Sequence, residues 1–230
     1  LGPQLSSFTQ NFDGVTAPAF PVCWEKIGAE GTSYTQASSS FSSPNCLYIY
    51  AASGTYGATV AMPLLSNLGA GTNRLTFKLR ANFTIGGVVQ VGYMTNRSDP
   101  ATFTLLQSFT TTSTTIYQDC QVTPGSIPGS TTLAFRMPPT PGLSALIDDV
   151  VWEVDPNLPN PATFTATTAG PNQIDLAFTP NGSSNNVVIA YNTTNSFTAP
   201  VGAPPTVVGE AFAGAFFLYN GLSSPQAHSS

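Results

Sequence analysis

Apolar residues return at every second position along much of this chain. Leu75, Phe77 and Leu79 alternate with Thr76, Lys78 and Arg80, which is the period of a strand buried on one face. The same reading predicts strands at 8–12, 46–50, 58–62, 88–94, 103–109, 116–122, 132–137 and 146–154. Helical spacing is nowhere sustained. Gly- and Pro-containing breaks separate most of these runs, at 53–54, 69–71, 86–87, 98–100, 124–129 and 138–142. Many short strands at this spacing predict an all-β fold, a jelly-roll β-sandwich over residues 1–155.

Beyond it, Pro156, Pro159 and Pro161 fall within a short segment, where they disfavour helix and remove ladder donors, so 156–161 reads as a stiff linker. A second module over 162–230 carries strand patterns at 163–167, 173–178, 187–191 and 215–219. Ile174, Leu176 and Phe178 lie on one face there, Asp175 and Ala177 on the other. Four strands are too few to close a seven-stranded sandwich, so this module reads as an incomplete immunoglobulin-like one.

Charge then narrows the function. Only 7% of the 230 residues are charged, and the single histidine, His228, lies two positions from the end. Most side-chain catalysis sets one titratable group against another, so the composition points to a binding or building protein and not to an enzyme. The net charge is -5, and Lys26, Arg74, Lys78, Arg80, Arg97 and Arg136 form no run. Nucleic acid is therefore not an expected partner, because phosphate binding needs a clustered positive field. No apolar stretch approaches the roughly 20 residues that span a bilayer. The chain opens without a charged, then apolar, leader and reads as a mature form. Few Lys and Glu, Thr-rich surfaces and a few cysteines suit a secreted, extracellular or cell-surface setting. Cys23, Cys46 and Cys120 allow three pairings. Cys23 with Cys46 is the preferred disulfide, restricting the unfolded chain by roughly 3 kcal/mol; three buried thiols are the alternative.

Two stretches carry a resemblance. Residues 91–96 (VGYMTN), 99–103 (DPATF), 134–136 (AFR) and 147–150 (IDDV), with the opening 8–14 and 20–24 (FPVCW), resemble adhesin-like jelly rolls of secreted Bacteroidetes proteins, of the MAM-like, choice-of-anchor J and cleaved-adhesin types. The run 185–194, with Phe197 and 218–221 (LYNG), resembles the fibronectin type III-like modules of such proteins. The resemblance implies a non-enzymatic role in adhesion or extracellular assembly, with a cell-surface or extracellular polymer, or copies of the chain itself, as partner. A carbohydrate-binding accessory module of a longer secreted enzyme is one alternative. A filament subunit completed by strand exchange is another.

The candidate site residues follow. The related jelly rolls often carry a structural calcium ion, and the matching positions are Asp13 near the first strand and Asp148 or Asp149 near the last, with Asn45 able to add an amide oxygen. Without an ion, Asp13 would cap its own Asp-Gly turn and Asp149 would pair with Arg136 or Lys26. As a glycosidase pair Asp148 and Asp149 fail, since successive strand residues point to opposite faces. Tyr48, Tyr50 and Tyr56, near a Ser- and Gly-rich loop, are the candidate ligand-binding residues, because aromatic faces suit neutral sugars. Tyr48 and Tyr50 equally fit cross-strand pairs, and Trp24 a core position.

Overall fold

The computed structural model describes residues 2–156, 160–181, 186–194, 196–198, 200 and 204–229. Asn157 to Pro159 of the expected linker, and Asn185 of the second resemblance, lie outside them. The chain divides into two compact units after Asp155, and both are all-β.

The first unit holds eleven strands: β1 Phe8–Gln10, β2 Glu25–Ile27, β3 Thr32–Gln36, β4 Cys46–Tyr50, β5 Ala58–Ala61, β6 Asn73–Ala81, β7 Val88–Met94, β8 Phe103–Thr110, β9 Gln118–Val122, β10 Thr132–Met137 and β11 Ser144–Val154. They pair antiparallel into two sheets. The first runs β3-β4-β11-β6-β9, with β1 also on β11, and the second runs β2-β5-β10-β7-β8. Alternation decides which side chains meet between them. Leu47 and Ile49 of β4, with Leu75, Phe77 and Leu79 of β6, face Val60 of β5, Val89 and Val91 of β7, and Leu133 and Phe135 of β10, all buried in one cluster. Phe77 meets Phe135 edge-to-face at 4.9 Å, a geometry that adds about 1 kcal/mol beyond the area it buries. Trp24 sits in this core as expected, 5.3 Å from Phe12 and 6.5 Å from Phe135.

Strands 46–50, 88–94 and 132–137 form at the expected residues. Phe12 does not extend β1. Its φ is +62°, turning the chain after Gln10, whose side chain accepts the Phe12 N–H at 2.7 Å. The ring thereby enters the core completely. Ile116 likewise stays outside β9, 72% exposed in the preceding loop. A bulge interrupts β11: Asp148 pairs with Lys78 and Val151 with Thr76, leaving Asp149 and Val150 between them, with Asp149 at φ +44°. The extra residue exchanges the faces. Ala145 and Ile147 point into the core before the bulge, Val150 and Trp152 after it, and the carboxylate of Asp149 avoids the interior.

Among the described residues the second unit contains six strands, two more than the pattern predicts, in two three-stranded sheets. One is β12 Thr163–Gly170, β13 Gln173–Thr179 and β17 Gln226–Ser229; the other is β14 Val187–Tyr191, β16 Ala215–Gly221 and β15 Ala211–Phe212. Phe178, Val187 and Ile189 form its core, with Leu176, Leu218 and Tyr219 packed around them.

Candidate functional site

Part of the outer face of the first sheet is occupied by the chain itself. The segment between β3 and β4 crosses it as a strap. Asp148, fully buried, accepts the backbone N–H groups of Phe41 (2.7 Å), Ser42 (3.1 Å) and Asp149 (2.8 Å). Ser42 Oγ donates to Asp149 Oδ1 at 2.7 Å and stands 3.4 Å from Asp148 Oδ1. The bulge thus brings both carboxylates to one hydroxyl, contrary to the expectation from simple alternation. Burial raises the Asp148 carboxyl to about 6, against the N–H groups that favour its charge. Phe41 lies 4.4 Å from Lys78 Nζ and 5.7 Å from the Tyr117 ring; Tyr117 Oη and Arg80 Nη2 both donate to Ser39 O.

The four residues expected around calcium are placed as hydrogen-bonding partners. Asp13 accepts the N–H of Asn45 at 2.9 Å and the amide of Asn11 at 2.7 Å, while Asn45 Nδ2 donates to Phe12 O and Val15 O. Asp13 therefore holds the end of the strap and not its own turn, and Asp149 pairs with Ser42 instead of Arg136 or Lys26. Both oxygens of Asp13 and both of Asp148 thus each accept an N–H donor. Among the described residues no three of His, Cys, Asp and Glu gather as a metal site.

The Cys23–Cys46 bridge does not form, and all three cysteines are free thiols. Cys46 lies under the strap, with Sγ donating to Ser38 O at 3.5 Å, and burial pushes its thiol up to about 11. Cys23 belongs to a left-handed turn (φ +69°) before β2, in the opposite sheet. The candidate tyrosines also separate. Tyr48 and Tyr50 stand on the outer side of β4, where Tyr48 faces Tyr34 of β3 at 4.9 Å with 30° between the rings. Each of those rings thus turns a face to the other. Tyr56 lies in the loop before β5, in the second sheet.

The second sheet has a different outer face. Register places Ile27, Thr59, Arg136, Gln90 and Ser108 in one transverse row across β2, β5, β10, β7 and β8. At about 4.8 Å per strand, the polar part from Thr59 to Ser108 spans about 14 Å. The neighbouring row is built small, from Ala61, Ala134 and Gly92. A Cβ at Gly92 would stand 2.4 Å from Cζ of Phe103, so glycine lets this ring lie over the sheet, where it covers Ile27, Ala61, Met94 and Ala134. Phe103 in turn carries the Arg136 guanidinium 4.0 Å from its centre, and the Tyr56 ring lies 6.0 Å from the same group. Arg136 Nε donates to Thr59 Oγ1 at 3.2 Å and Nη2 to Pro100 O. Burial lowers its pKa, although a guanidinium remains charged. Among the described residues Arg136 has no ion pair. Two of its five donors are thus committed, and the group remains partly exposed.

The other charges act as fasteners. Arg74 pairs with Glu153 at 2.6 Å, Lys78 with Asp119, and Arg97 donates to the carbonyls of Met62 and Cys23 beside Glu25. His228 packs on Tyr191 at 4.2 Å in the second unit. Arg136 was legible in the sequence only as an isolated base. Its partners come from β5 (Thr59), β8 (Phe103) and the segments that precede those strands (Tyr56 and Pro100), and only the fold brings them together.

No protein-family model matches this sequence, and no curated protein does. Among solved structures, the chain is similar to the K1 cleaved adhesin domain of Lys-gingipain from Porphyromonas gingivalis W83, with TM-score 0.50 and 17% identity over 65% of this chain and 98% of that one. The K2 cleaved adhesin domain of Lys-gingipain gives TM-score 0.50 and 16% identity over 65% and 99%. The C-terminal family 22 carbohydrate-binding module of Clostridium thermocellum Xyn10B gives TM-score 0.49 and 10% identity over 66% and 96%. At these identities the likeness to the two cleaved adhesin domains is one of fold, a distant match. Among the described residues no helix is long and apolar enough to cross a membrane.

Proposed function

We propose that this chain is a non-enzymatic recognition module of the extracellular space or cell surface, acting in adhesion, and that the second sheet's outer face is its contact surface. The ligand is an uncharged, hydroxyl-rich polymer, a polysaccharide by chemistry. One observation carries this reading: the row Arg136, Gln90 and Ser108, none of them fully buried, with the Tyr56 and Phe103 rings beside the guanidinium. Hydroxyl, amide and guanidinium groups in line donate to and accept from successive hydroxyls. An aromatic ring beside them covers the apolar face of a sugar, the usual composition of a saccharide site. The rest of the charge supports the non-enzymatic part. Asp148 is closed under the strap with its oxygens occupied, and Glu153 and Asp119 are paired with Arg74 and Lys78.

The test is retention on insoluble neutral polysaccharides, with Arg136→Ala beside the wild type. Wild-type protein should be retained and the variant released. A wild type that passes through every neutral polysaccharide, or a variant that binds equally well, would overturn the reading.

A further inference from the structure

We propose that Glu30 is the positioning residue of this contact face, holding the loop before β5 so that Tyr56 stands beside Arg136; the proposal rests on reading that face as the contact surface. Glu30 lies in the crossover from β2 to β3, which passes from the second sheet to the first. Its carboxylate accepts three successive backbone N–H groups: Thr55 at 3.0 Å, Tyr56 at 2.7 Å and Gly57 at 2.7 Å. Consecutive N–H groups converging on one anion form a concave cradle, which requires backbone conformations that glycine supplies. Gly54 at φ +123° and Gly57 at φ +77° flank the cradle.

Both sides of this contact are anchored where they must be. On the Glu30 side, Gly31 has φ +63°, and a Cβ there would stand 2.5 Å from Ala58 Cβ and 2.6 Å from Tyr50 O. The crossover is thus seated against the end of β4 and the start of β5. On the loop side, residues 52–56 are all exposed, with no packing from the core to fix Tyr56. Where the ring goes is decided by the backbone, and the backbone by Glu30. The same N–H groups, with Arg136 adding a smaller effect, hold the carboxyl below the usual carboxylate range, so it stays charged at neutral pH. Its charge also offsets that of Arg136, which turns the face toward neutral ligands over anionic ones.

The experiment has two arms on the full chain. In the first, amide hydrogen exchange at Thr55, Tyr56 and Gly57 is compared between wild type, Glu30→Ala and Glu30→Gln. Glu30→Ala should speed exchange at these amides at least tenfold, and Glu30→Gln, which keeps one acceptor oxygen, should fall between, with β10 amides unchanged. Unchanged exchange at the three amides overturns the proposal whatever the ligand does. In the second arm, retention on an insoluble neutral polysaccharide is measured for Glu30→Ala, Tyr56→Ala and the double variant. Glu30→Ala should weaken retention about as much as Tyr56→Ala, and the double variant no further, because both changes remove one positioned ring. A wild type that is retained while Glu30→Ala is retained equally overturns the role of Glu30 alone. A wild type that is not retained overturns the contact-face reading itself.

Discussion

The two outer faces of the first unit start from the same alternation and end differently. On the first sheet, the side chains pointing away from the core include Cys46, Asp148 and Arg80, each of which is covered by or bonded to the strap at 38–42. Asp148 and one donor each of Arg80 and Tyr117 are bonded to the strap, and Tyr48 pairs with Tyr34 across strands. On the second sheet, small residues in one row let Phe103 fold down, and the next row keeps Arg136, Gln90 and Ser108 at least partly exposed, with Thr59 buried beneath the guanidinium that it accepts from. A buried carboxylate bonded to three amides is a structural fastener. A guanidinium between two rings, with donors to spare, is a group ready for a ligand. Polarity on a sheet therefore says little about function until its partners are known.

The largest effect should come from the covered face. Asp148→Ala leaves the amides of Phe41, Ser42 and Asp149 without their acceptor, which costs on the order of 3 kcal/mol in chemical denaturation. Polysaccharide retention at a temperature where the variant is folded should not change. Loss of retention there would tie the strap to the contact surface and erase the contrast between the faces. Gly92→Ala should cost about 2 kcal/mol, since its Cβ meets the Phe103 ring and the Thr104 carbonyl. It should also weaken retention, because Phe103 carries Arg136. Arg136→Ala should reduce affinity at least tenfold, about 1.4 kcal/mol, with a smaller change in stability.

Acidity separates the faces by sign. The Asp148 carboxyl is raised from 3.8 to about 6 in the folded chain, so the folded state binds more protons than the unfolded one between those values. Its contribution to stability is greatest below that window and declines as pH rises through it. Glu30 is lowered, and its contribution is present above the ordinary carboxylate value and is lost as pH falls through the folded one. The melting temperature of wild type minus that of Asp148→Asn should therefore fall from pH 4 to pH 7. A flat difference would mean that Asp148 carries no such shift. The smallest effect belongs to Tyr48→Phe, which keeps the ring pair with Tyr34 and should alter retention by less than twofold.

Much of the fold was legible because its strands announce themselves by burying alternate side chains. The runs 46–50, 88–94, 132–137 and 187–191 formed as read. β2 (EKI), β3 (TSYTQ) and β17 (QAHS) were not, since few of their side chains are apolar and their pairing with β5, β4 and β13 supplies what their own sequence lacks. The site was less legible still. Tyr48, Tyr50 and Tyr56 looked like neighbours through spacing, yet the chain changes sheet between Tyr50 and Tyr56. Asp148 and Asp149 looked opposed, and a single bulge residue aligned them. Thr59, Gln90, Ser108 and Arg136 are far apart in sequence, and only the register of four strands sets them in a row.

The most direct test of the contact face is amide chemical-shift mapping of the full chain during titration with a soluble neutral polysaccharide. Perturbations should concentrate at Tyr56, Gln90, Ser108 and Arg136. Shifts centred instead on Tyr34, Tyr48 and the strap, or no shifts on either sheet at saturating polymer, would contradict the account.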